Sequence, residues 1–365
     1  MTRPISLISH RILPSKTVVV SVVAALALVV SLGYATKPQW QPWWYAATIC
    51  DGKLSASDLA KVLPEERLRA GKEVMDVKNG RMRCAVNIDD HHYTLAVEAQ
   101  SRPEYVQREL DLTFNIAVDP QYVFPQGIPG FRGNYGPTIL QECPALGRDS
   151  EGRKNLLITT VRGRNTDTSP ALRIAVSMAN AASTKLGCGA KPLPLPKEAL
   201  PKELPAVPLK DAVGTACGWL ADAPLPQNRS GGPWKVAIPT DDHAPITSCQ
   251  LMDGKSRTPV AKFSGWYGGW TDKPFETLMR FNVPDVTESD TKGPLMSEEF
   301  GRAMARCDGE SANFRAGSYP NSGQQGFSSH ELQPLLAAFA KDQAKRHGCT
   351  DLKLPSEEIH PRSQP

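Results

Sequence analysis

The sharpest contrast between apolar and polar positions lies near the N-terminus. No charged residue falls between Lys16 and Lys37, and Val18 to Leu32 is almost purely aliphatic. A helix needs about 20 such residues to cross a ~30 Å hydrocarbon layer, so 17–36 reads as a transmembrane anchor with the lipid bilayer as its partner. Arg3, Arg11 and Lys16 precede it. Positive flanks stay on the cytoplasmic side, which makes 1–16 a cytoplasmic tail and leaves the C-terminal remainder extracellular, on a single-pass cell-membrane protein. Trp40, Trp43, Trp44 and Tyr45 follow, where amphipathic rings favour the membrane–water boundary. The rival reading is a cleaved signal peptide, but Ala35-Thr36-Lys37 is a poor small-x-small cleavage site.

Beyond the anchor the pattern alternates between periods of two and of 3.6. Arg83 to Ile88 and Tyr93 to Glu98 alternate like two strands of a hairpin. Leu110 to Val118 and Asn155 to Val161 are further strand candidates. Ser55-Ala56-Ser57-Asp58 reads as a capping box for a short helix that halts at Pro64. A longer helix has Ser169 as its cap and Pro170 in its first turn, carries Leu172, Ala175, Val176 and Ala179 on one stripe, and exits at Gly187. Ser328-x-x-Glu331 is a capping box, followed by Leu332, Leu335, Leu336, Phe339 and Ala340 and an exit at Gly348. The fold class expected is α+β: a transmembrane helix, then two repeated domains, each an antiparallel sheet with a long C-terminal helix packed on it.

Cysteine placement carries the repeat. Cys50, Cys84, Cys143 and Cys188 have gaps of 34, 59 and 45; Cys217, Cys249, Cys307 and Cys349 have gaps of 32, 58 and 42. Local sequence agrees: Leu186-Gly187-Cys188 is answered by His347-Gly348-Cys349, and Leu193 to Pro196 by Leu352 to Pro355. Outside the cytoplasm such cysteines form structural disulfides, and no C-x-x-C pair suggests metal or redox chemistry. Four cysteines per copy leave three pairings open. Neighbours in order is the pairing we expect, each bridge worth about 3–4 kcal/mol on the chain-entropy model.

Six prolines between Pro192 and Pro208 favour an extended spacer. The boundaries that follow are 47–196 for domain 1, 197–213 for a Pro-rich linker, 214–356 for domain 2 and 357–365 for a disordered tail. Net charge is only +4 over 365 residues, and Arg153, Lys154, Arg162 and Arg164 read as a solvated strand end. Nucleic acid is not an expected partner, since binding it calls for a clustered basic face.

An N-terminal anchor, an early cysteine followed by leucine (Cys50 to Leu54, Cys217 to Leu220), a strand cysteine and a late Gly-Cys resemble envelope proteins of high-GC Gram-positive bacteria. Some of those are similar to the Mog1/PsbP-like α/β sandwich. The resemblance spans Cys50 to Pro196 and Cys217 to Pro355; it implies a cell-surface location and no particular activity.

Candidate chemistry is sparse. Asp89-Asp90-His91-His92 sits between two expected strands; carboxylates beside imidazoles suit a divalent metal or acid–base work, although Asp is common in turns. Asp241-Asp242-His243 is a faint echo. Ser328 and His330 lack a nucleophile elbow, and neither a phosphate-binding loop nor a dinucleotide fingerprint occurs, so no catalytic residue, metal ligand or cofactor is assigned. Gly265-Trp266-Tyr267-Gly268-Gly269-Trp270 reads either as a partner-binding platform built on Trp266, Tyr267 and Trp270 or as a core strand with a bulge. Pro125 to Phe131 with Tyr135 is a second loop-like contact surface. The function expected is a non-enzymatic envelope protein whose tandem outer domains bind an envelope protein or wall component. The alternatives are an envelope enzyme or metal-dependent factor centred on Asp89 to His92, and a structural spacer.

Overall fold

The computed structural model describes residues 16–360, apart from 89–92, 115–121, 125–126, 134–135, 165, 167, 198, 200–204, 229–230, 239–243, 255–258, 284–286, 288–289, 320–325 and 357–358. It begins with α1 (Lys16–Ala35), long and apolar enough to cross a membrane and with no part of Val18–Ala35 buried. Thr36 alone separates it from α2 (Lys37–Thr48). There follow α3 (Ala56–Val62), β1 (Arg69–Ala70), β2 (Val74–Asp76), β3 (Arg81–Asn87), β4 (Tyr93–Gln100), α4 (Pro103–Phe114), β5 (Tyr122–Val123), β6 (Gly130–Gly133), β7 (Gly136–Glu142), β8 (Leu156–Gly163) and α5 (Ser169–Lys185). The strands form one antiparallel sheet in the order β1-β3-β4-β8-β7-β6-β5, with β2 also on β3.

The second half holds β9 (Ala206–Pro208), β10 (Trp234–Ala237), β11 (Ile246–Asp253), β12 (Pro259–Tyr267), α6 (Asp272–Asn282), β13 (Leu295–Ser297), β14 (Phe300–Cys307), β15 (Glu310–Ser318), α7 (Ser329–Arg346), β16 (Thr350–Lys353) and β17 (Ile359–His360). Its sheet runs β17-β13-β14-β15-β12-β11-β10-β9, with β16 also on β14. All its pairings are antiparallel except β13 with β17. In both halves a hairpin leads into a helix, and a second hairpin then lays its last strand beside the last strand of the first: β4 beside β8, β12 beside β15.

Alternation along the strands builds three cores. Cys84, Val86, Leu95, Val97, Leu157 and Val161 face α5, whose Leu172, Ala175, Val176 and Ala179 complete the first. Phe263, Ala303, Phe314 and Ala316 face α7 with Leu332, Leu335, Leu336 and Phe339 to form the second. The opposite faces meet in a third: Leu140 and Ile158 with Val106 and Leu110 of α4, against Trp266, Phe300, Phe275, Leu278 and Met279. The layers are therefore α5, sheet, α4 packed on α6, sheet, α7. Strands apolar on both faces require cover on both, so each sheet carries a second helix besides the expected C-terminal one, and the two halves share a core.

Leu110 to Val118, expected as a strand, is helical as far as Phe114, and 115–118 lie outside the described residues. Pro103 in the first turn, with Val106 and Leu110 four residues apart, gives the longer period that prevails over a brief alternation. Thr168, not Ser169, caps α5 by accepting from the Ala171 amide. Ser55 caps α3 by accepting from the Asp58 amide, but the Asp58 carboxylate bonds Arg173 and the expected box is half formed, while the capping box at Ser328 is complete. Within the stretch read as linker, Ala206–Pro208 extends the second sheet, and within the expected tail Ile359–His360 pairs with β13. The start of the Pro-rich run is strapped down, with Asn180 bonded to both the amide and carbonyl of Leu193.

The eight cysteines pair as neighbours, Cys50–Cys84, Cys143–Cys188, Cys217–Cys249 and Cys307–Cys349, with Cα separations of 5.4, 4.3, 5.7 and 4.1 Å. Cys188 and Cys349 each follow a helix exit and tie it to the end of a strand, β7 and β14 respectively.

Candidate functional site

β12 passes through Gly265-Trp266-Tyr267-Gly268-Gly269-Trp270 into α6, and this segment is where the two halves join. Successive strand side chains point to opposite faces, so Trp266 and Tyr267 part company. Trp266 is fully buried in the third core, stacked 5.9 Å from Trp270 and edge-on to Phe275 at 4.9 Å. It is a core residue and offers no ring to a partner. Tyr267 turns toward α7: its hydroxyl donates to Gln343 Oε1 at 2.9 Å and its ring stacks on His347 at 3.8 Å. Trp270 is half-buried, its Nε1 donating to the Tyr267 carbonyl at 2.8 Å.

The two glycines between them are required by geometry. Gly268 has φ of 111°, a region that side chains avoid. At Gly269 a Cβ would lie 2.6 Å from Cγ of Arg153 in the first half. The aromatic–glycine motif is thus the seam between the halves.

A carboxylate stitches that seam. Glu310, at the start of β15 and only 10% exposed along its side chain, accepts from the Lys154 amide at 2.7 Å, Arg148 Nη1 at 3.2 Å and the Gly269 amide at 3.2 Å. Charge-assisted bonds of this kind are roughly twice as strong as neutral ones. Beside it Lys154 Nζ bridges Glu142 at 3.1 Å and Asp308 at 2.8 Å. The hydrogen bond to Asp308 raises the Lys154 pKa, and the same bond lowers that of Asp308. Arg153 pairs with Asp149 and Glu151, and Arg162 with buried Glu109. Three of the four residues read as a solvated basic strand end are therefore paired, and Arg164 is exposed.

Between these groups lies a cleft of about 380 Å³, at the lower end of the range for small-molecule sites. Leu140, Leu156 and Lys154 wall it from the first half; Tyr267, Trp270 and His347 wall it from the second. It offers apolar and aromatic surface for stacking, with Glu142 and Lys154 as polar handles. Of the candidate platform, Tyr267 and Trp270 reach this cleft and Trp266 does not.

Asp89, Asp90, His91 and His92 lie outside the described residues, as do Asp241 to His243. Among the described residues no group of three or more His, Cys, Asp or Glu is arranged to hold a metal ion. In the second contact loop, Ile128 and Phe131 are buried, while 125–126 and Tyr135 are outside the described residues. The sequence reading missed Glu310, although Asp308-Gly309 just before it is a hairpin-turn signal that marks the strand start. No family model, curated protein or solved structure matches the chain.

Proposed function

We propose that this chain is a single-pass cell-envelope protein, anchored by residues 17–36 with its N-terminus cytoplasmic. Its two outer halves are duplicates of one domain and together form a non-enzymatic binding module. The cleft between them carries the reading: it is the concave place where aromatic walls from one half face apolar and charged groups of the other. Supporting observations are the uncovered apolar α1, the absence of free cysteines, which suits an oxidising compartment, and the shared order of hairpins and helices. The resemblance to actinobacterial envelope proteins points the same way, toward an envelope protein or wall component as ligand. A spacer role is the second reading, favoured by the core shared between the halves.

Thiol labelling of intact cells tests the location: the eight cysteines react only after an impermeant reductant is added, whereas labelling without reductant refutes it. Binding is tested by recovering partners or wall fragments on the detergent-solubilised full chain and on Leu156→Arg, which places a charge in the cleft. Material retained by the native chain and lost from the variant supports the cleft; equal recovery by both rejects it.

A further inference from the structure

Helix α2 is a two-faced element. Its inner face is bonded to one loop of the first half: Gln41, fully buried, donates to the Glu66 carbonyl at 2.6 Å and accepts from the Leu68 amide at 3.0 Å. Tyr45 Oη and Lys37 Nζ donate to the Leu68 carbonyl at 2.8 and 2.6 Å. Tyr45, expected at the membrane boundary, is thus turned into the protein. The outer face carries Trp40, Trp43 and Trp44, exposed by 39, 66 and 51%. No acidic residue occurs in the helix.

Two contacts also join this unit to the end of α1. Trp40 Nε1 donates to the Gly33 carbonyl at 3.0 Å, and the Arg67 guanidinium sits 4.1 Å from the centre of the Tyr34 ring. With Thr36 the sole intervening residue, all three exposed rings fall within about 14 Å of the end of α1 along the chain, at 1.5 Å per residue.

We propose that α2 lies in the outer interfacial layer of the bilayer. Its three tryptophans sit among headgroups and upper acyl chains, Arg67 lies at the phosphates, and the first half rests on the lipid in a fixed pose. The occupant of the aromatic face is lipid because the face continues from the apolar span and Arg67, against Tyr34 at the end of that span, offers a guanidinium at headgroup depth. The loop that bears it exposes Glu65 and Glu66 as well as Arg67 and Arg69, so its charge is balanced. Indole rings prefer that depth and guanidinium pairs with phosphate. The proposal rests on the anchor reading above. It adds that the outer part is set down on the membrane rather than hung from it by a flexible tether.

The test places the full chain in vesicles of phosphatidylcholine with phosphatidylglycerol, doped with lipid carrying a spin-label quencher either near the headgroup or near the acyl-chain end. Three of the seven tryptophans are on the outer face, so the shallow quencher removes up to about three sevenths of the emission and the deep one less. Trp40→Ser/Trp43→Ser/Trp44→Ser abolishes the difference while circular dichroism is unchanged. A retained chain whose emission is unquenched overturns the pose alone. So does a dimer that the triple variant turns into monomer, since a second copy would then cover the face. A chain that leaves the vesicles on alkaline washing overturns the anchor reading, and the pose with it.

Discussion

Replacing Arg162 by methionine strands a buried carboxylate. Glu109 lies between α4 and the first sheet, 2% exposed. It accepts from Thr160 Oγ1 at 2.8 Å, from Gln100 Nε2 at 3.4 Å and from the Arg162 guanidinium. Burial raises its pKa above the ordinary 4.5, the Arg162 charge opposes that, and nearby Glu98 adds to it. Removing one partner of a buried pair costs about 3–5 kcal/mol, and Arg162 is only 27% exposed, so Arg162→Met falls toward that range near pH 7. The sign of the pH dependence follows from the direction of the shift. A carboxyl whose folded pKa is raised favours the folded state below its unfolded value and loses that advantage as pH rises through the folded value. Taking away Arg162 pushes the folded value higher and widens the window on its alkaline side, at about 1.4 kcal/mol per unit. The penalty is therefore largest near neutrality and shrinks toward pH ~4.5. Glu109→Leu/Arg162→Met removes both charges and recovers most of the stability. Urea unfolding of the full chain in detergent with disulfides intact, repeated across that pH range, measures this. A cost under about 1 kcal/mol at neutral pH, or one that does not change with pH, refutes the reasoning.

Gly268→Ala is expected to cost about 1–3 kcal/mol, because alanine must adopt a strained positive φ with its Cβ 2.8 Å from Trp270 Cδ1; thermal unfolding reads it, and an unchanged midpoint would mean that the seam relaxes. Cys307→Ala/Cys349→Ala opens a 42-residue loop and costs about 2–4 kcal/mol, with faster amide exchange at the exit of α7 than at that of α5. The core common to both halves predicts one cooperative unfolding transition; two separate transitions in urea would contradict it.

Local signals carried the secondary structure well where one period dominated. The capping box at Ser328 and the stripe from Leu332 to Ala340 specify α7, and Gly187 and Gly348 mark helix exits beside their cysteines. The matched spacing of the cysteines anticipated the four bridges. What local pattern conceals is the second face of each sheet. Leu156 and Ile158 look like part of one apolar run, and nothing nearby in sequence indicates that α4 and α6 meet over them. Arg302 shows the same limit. In sequence it is an ordinary charged strand residue; in the fold it is 1% exposed, bonded to Asn313 and the Thr291 carbonyl, with burial lowering its pKa to about 10. The glycines of the aromatic motif were legible as special, but their reason, the close approach of Arg153 at Gly269, comes from a segment more than a hundred residues away.

Placing α4 and α6 at the centre has a consequence for biogenesis. A chain made from its N-terminus completes Val106 and Leu110 long before Phe275, Leu278 and Met279 exist to cover them. Throughout that interval the nascent first half presents an oily flank to its surroundings, the kind of transient surface that invites misassociation. Holding factors, or rapid delivery of the second half, would be needed most during this window, and a ribosomal pause between Lys185 and Asp272 would lengthen it.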